Sequence, residues 1–322
     1  ESHSPDLLII ENALAIPMHI PLGLAVTEVL RETGITALAH HHDFYWERDR
    51  FSVTPIAGLL EQVFPPRLEN LSHVVINSDA RDELYRRKGI TAAVIPNVHD
   101  FAHPPGEMDA YSKNLPKDLA LQEGELLFLQ PTRIIARKGI ELAIDLVSRL
   151  KEFDIRLVIP HHELDEGDTY ARWLASRASQ EGVKLTCSPD IIGLERGSTP
   201  DGRRRYSLWD LYTHADFITY PSLYEGFGNA FLEAVYFSKP IFVNRYTIYR
   251  RDIEPLGFKT VSIDGKVTEE AADQVRRLLK DRALQQHYGR TNYEIARKHF
   301  SYESLEELLS GLPFFNADRI VR

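Results

Sequence analysis

Cysteine is nearly absent. Cys187 is the single one in 322 residues, so no intrachain disulfide framework and no cysteine-rich zinc site can form, and a reducing compartment fits. It falls in a strand-like run, where a buried filler role is expected. No apolar run approaches the ~20 residues that a transmembrane helix needs. No secretion signal opens the chain, which starts Glu1-Ser2-His3-Ser4. A cytoplasmic location is the expectation, with peripheral membrane attachment as its variant. Excess positive charge is also missing: 38 Lys and Arg against 47 Asp and Glu leave a net −9, which argues against general nucleic-acid binding. No G-x-G-x-x-G follows any strand-like run, which disfavours a dehydrogenase. Internal repeats, low-complexity tracts and heptads are absent as well.

What is present is alternation. Short apolar runs interleave with helical patterns, the signature of an α/β fold with parallel sheets, and the length suits about two domains. Strands are predicted at Asp6 to Glu11, Thr36 to His40, His73 to Asn77 and Ala92 to Pro96, with helices at Leu22 to Thr33, Ile56 to Phe64 and Asp79 to Lys88. Ser78 is the predicted N-cap of the last helix. A proline-bearing stretch, 99–123, reads as a linker. Alternation resumes with strands at Leu126 to Gln130, Arg156 to Ile159, Lys184 to Ser188, Phe217 to Tyr220, Ile241 to Asn244 and Lys259 to Ile263. Helices are predicted at Gly139 to Lys151, Thr169 to Gln180, Leu208 to His214, Ala230 to Phe237 and Ala271 to Leu279. Gly193 to Tyr206 reads as a polar loop carrying three consecutive arginines. The division is therefore a first Rossmann-like unit over 1–98, the linker 99–123, a second unit over 124–300, and a C-terminal helix and tail, 301–322, that packs back on the first unit. Only four strands are legible in the first unit, so it reads as incomplete.

Two clusters carry chemistry. In Tyr220-Pro-Ser-Leu-Tyr-Glu-Gly-Phe-Gly-Asn-Ala-Phe-Leu-Glu233 a strand runs into a glycine-bearing loop and then a helix, with Glu225 and Glu233 eight positions apart. Gly226 and Gly228 permit close ligand approach, and a helix starting near Asn229 turns its positive dipole end toward a phosphate. The second cluster, Pro131-Thr-Arg-Ile-Ile-Ala-Arg-Lys-Gly139, sets Arg133 and Lys138 across a strand–helix loop. Cations there oppose the helix dipole, which favours an anionic ligand at that place. A planar guanidinium and a point-charge ammonium suit a diphosphate. Arg137 is expected to face solvent.

Together the clusters resemble glycosyltransferase family 4 of the GT-B fold. The R-x4-K pattern falls at Arg133 and Lys138, and the P-S-x-x-E-G-F-G stretch runs from Pro221 through Glu233 and Ala234 toward Lys239-Pro240. Asn77-Ser78 and Ile95-Pro96-Asn97 fit the same pattern in the first unit. The resemblance implies two Rossmann-like domains facing a cleft, the N-terminal one truncated here. It implies a retaining, metal-independent hexosyltransferase that uses a UDP- or GDP-sugar as donor and needs no cofactor. The acceptor would be a hydroxyl compound: a saccharide, a glycerate-type small molecule or a lipid-linked sugar. It assigns leaving-group stabilisation to Arg133 and Lys138, the donor sugar hydroxyls to Glu225, and the ribose to Glu233. Gly226, Phe227, Gly228, Asn229 and Ala230 would wrap the nucleotide. It also implies a histidine facing the donor, from Ala39-His40-His41-His42-Asp43-Phe44. If the strand runs through His42, then His40 and His42 share a face; a bend after His40 frees His41, which is the preferred residue. A cation beside His41 and Asp43 is disfavoured, since no carboxylate cluster accompanies them. His161 and His162 read as structural.

A glycoside hydrolase also needs two carboxylates, but retaining hydrolases hold them ~5–5.5 Å apart, and eight residues of helix span ~12 Å. Arg133 and Lys138 would then be unexplained. A non-catalytic sugar-nucleotide-binding module, or a fragment of a longer glycosyltransferase, is the alternative that the short first unit keeps in view.

Overall fold

The computed structural model describes residues 5–51, 54–160, 168–187 and 189–312. The chain divides into two compact units, one of residues up to Asn97 together with those from Leu305 on, the other of Val98–Ser304. Residues 99–123, read from sequence as a linker, fall within the second unit. His161, His162 and the tail beyond Leu312 lie outside the described residues.

In chain order the first unit runs β1 (Leu8–Glu11), α1 (Ile20–Thr33), β2 (Ala37–His41), α2 (Ala57–Val63), β3 (Leu71–Val75), α3 (Ser78–Lys88) and β4 (Ala92–Val94). The strands pair in the order β1-β2-β3-β4, and every pairing is parallel. Such a sheet must bury both faces, and the strands read accordingly as short apolar runs. One face packs Ile10, Leu14, Leu30, Ala37, Ala39 and Leu71 together. α3 begins where the Asn77 side chain accepts from the Ala80 amide at 2.7 Å, so the cap is Asn77, one residue before the Ser78 expected from sequence.

The second unit runs α4 (Leu115–Asp118), β5 (Leu126–Leu129), α5 (Ile140–Ser148), β6 (Ile155–Ile159), α6 (Asp168–Glu181), β7 (Lys184–Cys187), β8 (Ile192–Gly193), β9 (Gly197–Ser198), β10 (Arg204–Ser207), α7 (Leu208–His214), β11 (Phe217–Tyr220), α8 (Asn229–Tyr236), β12 (Ile241–Asn244), β13 (Val261–Ile263), α9 (Glu269–Lys280) and α10 (Arg282–His299). Six strands form one parallel sheet in the order β13-β12-β11-β5-β6-β7. The chain lays down β5, β6 and β7 outward in one direction, then returns to place β11, β12 and β13 on the other side of β5. The strand order therefore reverses between β5 and β11, and open α/β sheets bind ligands outside the carboxyl ends of the strands at such a point. Phe128, Phe217, Phe242, Ile144, Leu157 and Val275 are among the residues that fill the core beneath.

The polar loop expected over Gly193 to Tyr206 instead folds into a small sheet, β8-β10-β9. Two of its three arginines are engaged, Arg203 on Asp201 at 2.6 Å and Arg204 on the Tyr111 carbonyl at 2.7 Å. Cys187 is exposed at the end of the edge strand β7 rather than buried. The last described helix, α11 (Tyr302–Ser310), starts at Ser301, whose hydroxyl accepts from the Ser304 amide at 3.2 Å. Its Leu305 and Leu309, with Leu312, pack on Leu38, Val74 and Ile95 of the first unit's sheet.

Candidate active site

The loops that leave β5 and β11 are neighbours because the strands are, with Phe217 registered against Phe128 and Ile218 against Leu129. Buried polar contacts tie the strand ends. Thr219 Oγ1 donates to Gln130 Oε1 at 2.8 Å, and Gln130 Nε2 donates to Thr132 Oγ1 at 2.9 Å. Beyond them the Leu223 amide donates to the Arg137 carbonyl at 2.8 Å, and Asn244 Nδ2 braces the Ser222 carbonyl at 3.1 Å. Gly139 makes this approach possible. It sits in the left-handed region at φ +59, and a Cβ there would stand 2.4 Å from the Pro221 carbonyl oxygen.

Within this frame Lys138 and Glu225 meet. Lys138 ends a 3-10 turn, Ala136–Lys138, and its Nζ donates to Glu225 Oε1. Both residues are 8% exposed. Arg137 Nη1 donates to Glu225 Oε2 at 3.2 Å and to the Tyr224 carbonyl at 3.1 Å, so Arg137 belongs to the cluster and does not simply face solvent. Burial pushes the Lys138 ammonium down, Glu225 opposes that, and the charges of Arg137 and Arg133 add to the lowering. For Glu225, burial pushes the carboxyl up, but Lys138 and Arg137 outweigh it and hold it below its usual range. The two side chains form a salt bridge. Arg133 is half-buried and close enough for its charge to be felt at Lys138.

The glycine turn and α8 complete the arrangement. Gly228 adopts φ +125, and a Cβ on it would lie 2.5 Å from Tyr246 Oη and 3.2 Å from Tyr220 Oη. Tyr246 Oη donates to the Phe227 carbonyl at 2.7 Å, which pins the turn from below. Phe227 is buried, and Gly226, Asn229 and Ala230 are half-buried or exposed along the turn and the helix start. Glu233, one turn further along α8, does not join the Lys138 cluster. Tyr212 Oη donates to its Oε2 at 2.9 Å, and burial raises its pKa against that bond. Sequence reasoning assigned no role to Tyr212, Tyr220 or Tyr246 and set Arg137 toward solvent. The tyrosines had no spacing signal, because each reaches the site from a separate element.

The histidine run lies in the first unit. The strand extends through His41, and His41 turns inward, 1% exposed, with Nε2 2.9 Å from His73 Nδ1 and its ring against Phe44. Burial first, and then the neighbouring histidines, hold its pKa well below the usual value. His41, expected to face a donor sugar, is thus placed in the interior: residue alternation carries it to the face opposite His40 and His42. Those two share a face and both approach Glu11, with His40 Nδ1 3.0 Å and His42 Nε2 3.3 Å from Glu11 Oε2. Asp43 pairs with Arg48 and accepts from Asn12 Nδ2 at 3.0 Å. Among the described residues no helix is long and apolar enough to cross a membrane.

The fold is that of the GT-B class of glycosyltransferases. An Anabaena protein, HepE, crystallised in complex with UDP-glucose, shares the fold at a TM-score of 0.68 and 14% identity, over 95% of this chain and 79% of that one. The family model for glycosyl transferases group 1 matches residues 201–295, the segment that holds Glu225 and Glu233. A mannosylglucosylglycerate synthase of Thermotoga maritima is 34% identical over 95% of this chain and 75% of its own length. One of Petrotoga mobilis is 39% identical over 82% of this chain. The chain spans 65% of the length of that Petrotoga relative. The chain belongs to the glycosyl transferases group 1 family, in keeping with the resemblance to glycosyltransferase family 4.

Proposed function

We propose that this chain is a retaining, metal-independent hexosyltransferase that moves a hexose from a nucleotide diphosphate sugar to a hydroxyl of a glycerate-bearing saccharide. The observation that carries the reading is the buried Lys138–Glu225 pair, set between the β5 and β11 loops where the strand order reverses. In the transfer, the bond from the anomeric carbon to the diphosphate oxygen breaks and its electron pair leaves with the diphosphate. The acceptor oxygen bonds to the same carbon on the same face, and its proton passes to the departing phosphate oxygen. Negative charge therefore grows on the diphosphate. Lys138, Arg133 and the positive end of α8 are the groups that meet it, a preorganised electrostatic stabilisation. No separate protein base and no divalent ion are then required.

Glu225 has two tasks in this scheme. It keeps Lys138 protonated despite burial, and its carboxylate oxygens retain lone pairs for donor sugar hydroxyls. Glu233, oriented by Tyr212, accepts from the nucleotide ribose. Both synthases above carry mannosylglucosylglycerate in their names, so mannose is the hexose of choice and glucosylglycerate the acceptor.

The test is a thermal-shift panel of GDP-, UDP- and ADP-sugars, since a ligand that binds the native state raises Tm. A turnover assay with glycerate and glucosylglycerate follows on the stabilising donor. One donor should stabilise the chain and yield a product of retained anomeric configuration. A donor that binds without transfer to either acceptor leaves a binding module in place of an enzyme, and no stabilisation by any sugar nucleotide removes the reading altogether.

A further inference from the structure

The strand that carries the histidine run places a second constellation at the carboxyl edge of the first unit's sheet. The parallel register sets Glu11 directly beside His40. Two residues on, His42 returns to the same face, and one ligand atom each from Glu11, His40 and His42 lies within 4.8 Å of the others. The two imidazoles approach one carboxylate from different directions, their rings 4.6 Å apart and inclined at 44°. Asn12 fixes the turn they share, since its Oδ1 accepts from the His42 amide at 3.0 Å.

We propose that Glu11, His40 and His42 form a binding site for a divalent transition-metal ion of the zinc or cobalt class. Two neutral imidazoles and one carboxylate are a donor set that such ions take, and that magnesium, which prefers an all-oxygen shell, does not. Metal–ligand bonds of 2.0–2.2 Å at a tetrahedral angle put ligand atoms about 3.3 Å from one another. The Glu11 contacts of 3.0 and 3.3 Å already have that separation. Only the distance between the two imidazole nitrogens has to close, which rotation of the half-exposed His42 ring provides. With Nδ1 of His40 on the metal, its Nε2 carries the proton; that atom is buried and makes no hydrogen bond. Three protein ligands leave a coordination position for water or for an oxygen of another molecule. The site is separate from the Lys138–Glu225 cluster in chemistry: it needs a soft-to-borderline cation, whereas the diphosphate chemistry proposed above uses side-chain charge.

The experiment uses the untagged full chain, stripped with EDTA and dialysed, then titrated with Co2+ alone under visible absorption and with Zn2+ alone by calorimetry. Wild type should take up one equivalent, develop a ligand-field absorption band and gain thermal stability. His42→Ala and Glu11→Gln, the two more exposed ligands, should each weaken that equivalent at least about ten-fold, as losing a ligand must exceed the loss of an outer-shell partner. Metal-free melts of the variants within a few degrees of metal-free wild type establish that they fold. Wild type that takes up no equivalent, or both folded variants binding as wild type does through the chain's other histidines, would overturn the proposal. Competition by Mg2+ at equal concentration would do so too.

Discussion

Replacing Lys138 by Met keeps most of the aliphatic stem and removes the charge. The consequences can be worked from the geometry. Removing one partner of a buried ion pair commonly destabilises a protein by about 3–5 kcal/mol, because the other charge is left without compensation. Here Glu225 keeps a second cation, with Arg137 Nη1 3.2 Å from Oε2. The expected cost is therefore smaller, about 1–3 kcal/mol, visible as a Tm lower by several degrees. Lys138→Met thus touches both stability and chemistry, and the assay has to separate them. The measurement is kcat at saturating donor, at a temperature where thermal melts show the variant folded. If Lys138 meets the leaving diphosphate, kcat should fall about 100- to 1,000-fold, the size of losing one preorganised charge-stabilising group. The control is the double variant Lys138→Met, Glu225→Gln. Removing both members of the pair should restore much of the lost stability and none of the lost rate. A kcat within ten-fold of wild type for Lys138→Met, or recovery of rate along with stability in the double variant, would refute the assignment and leave Lys138 as an architectural partner of Glu225.

Gly228→Ala should destabilise by about 2–4 kcal/mol in a denaturant titration, the sum of a left-handed alanine and a displaced Tyr246–Phe227 hydrogen bond; no change would mean the turn can relax. Glu233→Ala should weaken binding of a nucleoside diphosphate without sugar about 10- to 100-fold by calorimetry, as for a lost charged hydrogen bond, and equal affinity would take Glu233 off the ribose. Excess EDTA should leave transfer intact; loss of turnover restored by Mg2+ would place a metal on the diphosphate. His73, buried and then disfavoured further by Lys88, has its pKa lowered to about 4. An unfolded chain binds that proton near pH 6.5 while the native one does not, so stability is full above about 6.5 and is lost as pH falls toward 4, by about 3 kcal/mol. Melts of wild type should steepen their pH dependence over that window, and His73→Asn should flatten it.

The strands of the two parallel sheets were legible because such a sheet buries both faces, which leaves short continuous apolar runs; the polar strands β8, β9 and β10 were not. Nor was the longest helix. α10 spans Arg282–His299, yet the residues it buries are Gly289, Asn292 and Ala296. None of these reads as an apolar stripe. Gly289 is there because a Cβ would stand 2.6 Å from the Ser238 carbonyl oxygen, and Asn292 brackets the Lys259 backbone with bonds of 2.6 and 2.9 Å. Close backbone approach and a polar clamp hold this helix, and neither has a period. The site shows the same division. Glu225, Lys138 and Gly228 announce themselves by residue type next to a strand end. The inward turn of His41 and the engagement of Arg137 with Glu225 depend on where the strand stops and how two loops abut, and local sequence does not encode that.

The return of α11 to the first unit has a consequence for synthesis. Leu38, Val74 and Ile95 are made early, but the leucines that cover them, Leu305, Leu309 and Leu312, follow only after the whole of 98–304. At roughly 5–20 residues per second, that interval lasts on the order of 10–40 s. Throughout it the nascent first unit presents an uncovered apolar sheet face to the ribosome surface and to any chaperone there. This unit is begun before residues 98–304 and completed after them, and its period of greatest exposure to misassembly is set by the rate of translation.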